Sequence, residues 1–143
     1  MKLWYNIYMM KNVIKYKSNN NVVYSCKYHV VWCPKYRRSV LVNKVDERLK
    51  SILYQTANDV GAEILELEVM PDHVHLLVEI GPQYGINKLV RHLKGRSSNL
   101  LRKEFPSLKS RIPSLWTSSY FVSTVGGASL TDIKKYIENQ KGV

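Results

Sequence analysis

An α+β fold is predicted for this chain: an antiparallel sheet with helices on one face and a further helix appended at the end. Three features predict it. Four short stretches, residues 22–33, 62–69, 73–80 and 116–125, carry strand signals, through two-residue alternation or through aromatic and β-branched composition. Two longer segments, residues 45–60 and 86–105, repeat apolar side chains at helical spacing. Their order is strand, helix, strand, strand, helix, strand, which is what the split βαβ, ferredoxin-like or RRM-like layout produces.

Each element has its own warrant. Residues 1–21 are rich in Lys, Asn and Tyr without a clean period and read as a loosely ordered basic extension that ends in the turn-prone Asn19-Asn20-Asn21. Within 22–33 the even positions are Val22, Tyr24, Cys26, Tyr28, Val30 and Trp32, one buried face of a strand, while Ser25, Lys27 and His29 lie opposite. Val45, Leu49, Ile52, Leu53 and Val60 make the stripe of the first helix, which stops at Gly61. Met70-Pro71-Asp72 turns the chain between two strands of a hairpin. The second helix carries Ile86, Leu89, Val90, Leu93, Leu100 and Leu101 on one side, with Lys88, Arg91, Lys94, Arg96, Arg102 and Lys103 elsewhere. After the fourth strand come Gly126-Gly127 and a last helix, residues 130–141, with Leu130, Ile133 and Ile137 as its stripe and Ser129 and Asp132 as a start signal. The division is thus one domain, residues 22–143, with a body (22–125), a glycine connection (126–129) and a terminal helix (130–143).

Composition narrows the partners. A chain of 143 residues builds one core, and 45% hydrophobic residues suffice to fill it, so a disordered protein is excluded. Twenty-two Lys and Arg against 11 Asp and Glu leave a formal charge of +11, a field that draws in a polyanion, with nucleic acid first among them. The longest mostly apolar window, residues 3–10, is too short to span a bilayer and no cleavage site follows it, so a cytoplasmic protein without a membrane anchor is expected. Cys26 and Cys33 face opposite sides of one strand and read as reduced packing residues. No GxxxxGK[ST] phosphate loop is present.

Chemistry is legible in two places. On the strand 73–80, His73, His75, Leu77 and Glu79 share the face turned away from the helices, so two imidazoles project side by side. Such a pair can hold one metal ion, or it can be two polar residues on an open face. On the last helix Tyr136 and Gln140 stand one turn apart at the border of the apolar stripe. From this helix alone a packing tyrosine and a surface glutamine are the stronger reading. Pairing the two constellations changes that. A phenol with a pKa of about 10 is a poor nucleophile until its proton is removed or its target is made more electrophilic, and a metal on a phosphate does the second. Two histidines and an amide oxygen would hold that ion with positions open to phosphate oxygens, and Tyr136 would be aimed at the phosphorus.

At this point the sequence resembles a family. Met70-Pro71-Asp72-His73-Val74-His75-Leu76-Leu77 and Tyr136-Ile137-Glu138-Asn139-Gln140 are similar to motifs of the single-tyrosine HUH transposases of the insertion-sequence 200/605 group. Supporting matches are His29-Val30-Val31-Trp32, Lys35-Tyr36-Arg37-Arg38, Leu93-Lys94-Gly95-Arg96-Ser97-Ser98, and Trp116 through Tyr120-Phe121-Val122 to Gly126, in the family's order from about residue 22 onward. The resemblance implies an enzyme that cuts and rejoins single-stranded DNA at the hairpin-marked ends of a mobile element through a 5′-phosphotyrosine. Tyr136 would be the nucleophile, and His73, His75 and Gln140 the ligands of Mg2+ or Mn2+. A homodimer is implied in which the tyrosine helix of one subunit completes the histidine site of the other, with Gly126 and Gly127 as the hinge, a role glycine's backbone freedom suits.

Lys35, Arg37, Arg38, Lys94 and Arg96 are expected among the DNA contacts, with Arg102 and other cations of the second helix, and Tyr36, Trp116 and Tyr120 as bases' stacking partners or, for the latter two, core residues. His29 is placed near the metal pair or as a polar residue on an open face. Asp72 either orients a ligand histidine or makes the turn, the turn being the stronger reading. Two other functions fit the fold. A non-catalytic single-strand or RNA binder of RRM type would carry aromatics where His73 and His75 stand, and a replication or repeat-associated nickase would come with a longer chain.

Overall fold

Alternation that runs unbroken from residue 22 to 33 folds into two strands, β2 (Val23–Tyr24) and β3 (Lys27–Trp32), in the computed structural model, which describes residues 16–18, 21–125 and 130–143. The break has a local cause. Glu79, buried to 2% exposure, accepts the Cys26 N–H through Oε2 at 3.1 Å, and Ile80 N–H donates to the Cys26 carbonyl at 3.2 Å. Cys26 thereby satisfies its backbone on the end of a neighbouring strand and bends the chain. Before it, β1 (Lys17–Ser18) pairs antiparallel with β2, and Lys17 forms an ion pair with Glu63. Part of the expected loose extension is therefore a small hairpin, while residues 1–15 lie outside the described residues.

A short 3-10 turn, Lys35–Arg37, follows, and then the elements run α1 (Val45–Asp59), β4 (Glu63–Met70), β5 (His73–Glu79), α2 (Ile86–Glu104), α3 (Ser107–Arg111), β6 (Phe121–Thr124) and α4 (Leu130–Glu138). The main sheet has the order β4-β5-β3-β6, antiparallel throughout, as a ferredoxin-like connectivity requires. The apolar stripes of the two long helices decide where they sit. Leu49, Ile52 and Leu53 of α1 and Leu89, Val90 and Leu93 of α2 are buried with Val30, Trp32, Val74, Leu76 and Val78, the even-numbered face of β3 and β5. Completely burying a side chain of this size stabilises the fold by about 1.5–3 kcal/mol, so these residues fix which face of the sheet the helices cover. Gly61, at φ +76, ends α1 in a backbone conformation that side-chain-bearing residues resist. Among the described residues no helix is long and apolar enough to cross a membrane, and both cysteines are free.

Three expectations are corrected. The fourth strand starts at Phe121, not at residue 116: Trp116 makes only an isolated bridge to Pro34, and its indole N–H donates to the Lys94 carbonyl at 3.1 Å and to Ser97 Oγ at 3.0 Å. Trp116 is thus a core residue, set edge-on to Trp32 at 5.9 Å. The short helix α3 has no counterpart in the sequence reading. It is tied down by Arg102, whose guanidinium donates to the carbonyls of Pro113, Lys109 and Ile112 at 3.3–3.5 Å, so this cation serves the fold rather than an open surface. The odd-numbered face of the sheet is not wholly open either. Val31 and Cys33 are buried at 0% exposure, and α4 packs on β3, where its own apolar residue Ile133 also finds cover.

Candidate active site

Antiparallel register brings the histidines together. His75 stands opposite Val31, and His29 stands opposite Leu77, so His29 and His75 are diagonal neighbours on one face. Their rings lie 5.5 Å apart, with Nδ1 of His29 3.3 Å from Nε2 of His75. One of the two nitrogens must donate and the other accept. Burial, and then the neighbouring His29, hold the His75 pKa below the ordinary histidine value, which favours a neutral ring with a lone pair to give.

His73 is oriented by its sequence neighbour. Its Nδ1 lies 2.9 Å from Asp72 Oδ1, and because a carboxylate only accepts, Nδ1 carries a proton, so the neutral form of the ring is the tautomer with its lone pair on Nε2. A carboxylate behind a ligand imidazole is the arrangement that fixes ring and tautomer in metal sites. Asp72 therefore does more than make the turn between β4 and β5. Among the described residues no three His, Cys, Asp or Glu side chains form a metal-holding group. A cation at this pair would need a ligand of another kind, and an amide oxygen is one. The donor chemistry of His73, His75 and Gln140 fits a divalent ion in that sense.

The second cluster surrounds Tyr136. Its ring packs on Phe121 at 5.6 Å between centroids, and Phe121 stands opposite Val31, in the same cross-strand row as His75. Ser119 Oγ donates to Gln140 Oε1 at 3.3 Å and lies 3.2 Å from the Tyr136 hydroxyl. A serine has one proton, so with that proton on Gln140 the phenol is the donor to Ser119. Burial raises the Tyr136 pKa above the ordinary phenol value, and Ser119, which can turn its proton to the oxygen once the phenol ionises, opposes the rise. Gln140 is itself buried, at 7% exposure. Ser119 lies inside the match from Trp116 to Gly126, yet sequence reasoning does not single it out. Its one local signal is its place two residues before β6, the strand that pairs with β3.

Arg37 joins the two clusters. Its Nε lies 3.2 Å from Asp72 Oδ2, and its Nη1 donates to the Ile137 carbonyl of α4 at 3.2 Å. Burial pushes the Cys33 thiol up to about 11, with Asp72 adding to the rise and Arg37 and Lys94 opposing it.

Of the expected DNA contacts, Arg38 and Arg96 are exposed and Lys35 half-buried, its ammonium 5.2 Å from the centre of the Tyr36 ring. Two others are turned inward. Arg37 is occupied as described, and Lys94 Nζ donates to the carbonyls of Thr117 and Ser119 at 2.7 and 2.9 Å. Burial pulls the Lys94 pKa down to about 8. Each has a task in the fold that composition could not show. Gly126 and Gly127, expected as a hinge, lie outside the described residues.

Family comparison identifies the class. The model of the family described as "Transposase IS200 like" matches residues 22–140, and the chain belongs to that family. It is 42% identical over 129 residues to the ISDra2 transposase TnpA of Deinococcus radiodurans, covering 89% of this chain and 92% of that one. It is 36% identical over 126 residues to the transposase for insertion sequence element IS200 of Salmonella typhimurium, covering 87% and 82%. A crystal structure of a candidate transposase from Deinococcus radiodurans superposes with a TM-score of 0.79 at 42% identity, covering 89% of this chain and 99% of that one. A REP-associated tyrosine transposase bound to a REP hairpin shares the fold, with a TM-score of 0.54 at 14% identity over 85% and 69% of the two chains.

Proposed function

We propose that this IS200-like transposase cleaves and rejoins single-stranded DNA at hairpin-marked ends of its element through a 5′-phosphotyrosine, with Tyr136 as nucleophile and His73, His75 and Gln140 holding Mg2+ or Mn2+. One observation carries the reading: the Tyr136 hydroxyl and the Gln140 oxygen meet on Ser119 above the sheet face from which His75 projects. A cation bound there would draw charge from the scissile phosphate and make its phosphorus more electrophilic. The Tyr136 oxygen forms a bond to phosphorus as the bond to the 3′ oxygen breaks. The proton lost by the phenol is balanced by the one the departing 3′-hydroxyl gains. Attack by a 3′-hydroxyl on the phosphotyrosine reverses the exchange at a new strand, so no nucleotide cofactor is required.

The formal charge of +11 supports a polyanionic substrate, and the solved relative on a REP hairpin supports a hairpin as the form recognised. A homodimer with shared sites and action in the cytoplasm complete the proposal. The test uses single-stranded DNA from the flanks of the protein's own locus, with and without Mg2+, followed by a denaturing gel. Wild type is expected to form a covalent adduct only with the ion, and Tyr136→Phe to bind the hairpin without forming one. An adduct that persists in Tyr136→Phe refutes the assignment of the nucleophile.

A further inference from the structure

We propose that Arg37 is a positioning residue that couples docking of the tyrosine helix to the setting of His73, through a continuous path from the Ile137 carbonyl to Arg37, Asp72 and His73 Nδ1. The inference rests on the metal role given above to His73 and goes beyond it. The path consists of three contacts, Arg37 Nη1 to Ile137 O at 3.2 Å, Arg37 Nε to Asp72 Oδ2 at 3.2 Å, and Asp72 Oδ1 to His73 Nδ1 at 2.9 Å. It spans residues far apart in sequence and ends one residue from the nucleophile, on the carbonyl of the position after Tyr136.

The backbone is shaped for this task. Tyr36 and Arg37 both adopt positive φ, 58° and 50°, a conformation that side-chain-bearing residues hold only where the surroundings enforce it. That bend points the Tyr36 N–H at the carbonyl of Val143, which accepts it at 2.9 Å, while the Arg37 guanidinium reaches Ile137. Near the end of α4 the Ile137 carbonyl already accepts the Gln140 N–H at 3.2 Å, and its second lone pair, at the end of the helix where the dipole favours a cation, takes Arg37. Arg37 supplies donor and charge together. A planar guanidinium can also face a carboxylate with a second edge at fixed geometry, which an ammonium cannot.

Coupling of this kind is reciprocal: if a docked helix strengthens ion binding, the ion strengthens docking by the same factor. The test measures Mn2+ binding by calorimetry, and amide exchange of residues 130–143 with and without MnCl2, on the full chain. Wild type is expected to bind Mn2+ and to exchange more slowly in 130–143 when it does. Arg37→Gln is expected to weaken Mn2+ binding by about 10-fold, at the low end of what removing a ligand's hydrogen-bonded support costs, and to lose the ion-dependent protection. Arg37→Lys is expected to restore neither, and full rescue by it would overturn the requirement for the guanidinium. Asp72→Asn reads the same path from its other end and keeps the test decisive if Arg37→Gln does not fold. Unchanged affinity and unchanged protection in a folded Arg37→Gln overturn the coupling alone. Wild type that binds Mn2+ no better than His73→Ala overturns the metal reading and the coupling with it.

Discussion

Lys94 and Arg96 stand two positions apart on α2, and their sequence context makes them equal candidates for phosphate contact, yet the fold uses them differently. Arg96 is exposed, whereas the Lys94 ammonium is held by the carbonyls of Thr117 and Ser119. In salt titrations of single-strand binding, Arg96→Ala is expected to reduce the slope of log K against log salt by about 0.7, one phosphate contact, and Lys94→Met to leave it unchanged. Lys94→Met should instead cost about 1.5–2 kcal/mol in urea unfolding, the lower part of the range for hydrogen bonds to a charged group, because the site is only partly shielded from water. The pH dependence has a definite sign. With its pKa lowered to about 8 in the folded chain from 10.5, Lys94 leaves the unfolded chain with more bound protons between those values, so stability attributable to it rises with pH across that window and is lost as pH falls through about 8. Lys94→Met should lack that rise. Tyr136, whose folded pKa is raised, works in the opposite sense above about 10, the ordinary phenol value.

At the scale of elements, legibility follows from whether a pattern is local. The two long helices and the β4–β5 hairpin are written in periodicity and in one turn, and the structure has them within a residue or two of the expected bounds. The segment 116–120 misleads because aromatic and hydroxyl residues mimic strand composition, while its actual restraints are the Trp116 indole and the Lys94 ammonium. In the site, the shared face of His73 and His75 and the one-turn spacing of Tyr136 and Gln140 follow from strand and helix geometry. Ser119 and Arg37 do not, since their bonds cross 17 to 100 positions and leave no local signature. Gly95 offers a test of α2 itself. A Cβ there meets nothing within 4 Å, so Gly95→Ala is expected to stabilise the chain by about 0.5–1 kcal/mol through helix propensity. Thermal unfolding should show a rise of about 2–4 °C for each kcal/mol gained.

For the whole molecule the question is which body a tyrosine helix serves. In the single chain α4 lies on its own β3, with Tyr136 on Phe121 and Arg37 on Ile137. The proposed homodimer would make the same contacts with the helix of the other subunit. Mixing Tyr136→Phe protein with His73→Ala protein separates the arrangements. If sites are shared, a heterodimer combines intact histidines of the first with the intact tyrosine of the second. Random pairing then restores adduct formation to about a quarter of wild type, half the dimers carrying one good site of two. If each site is built within one chain, both subunits are defective and no adduct forms. Arg37 sharpens the experiment. Adding Arg37→Gln to the Tyr136→Phe chain, whose histidines form the working site, is expected to weaken the rescue, because there the guanidinium must hold the incoming helix. Adding it to the His73→Ala chain should leave the rescue intact, since that body receives only the inactive helix. Equal loss from both placements would mean that Arg37 supports the fold of each chain and not the docking of a helix onto a histidine site.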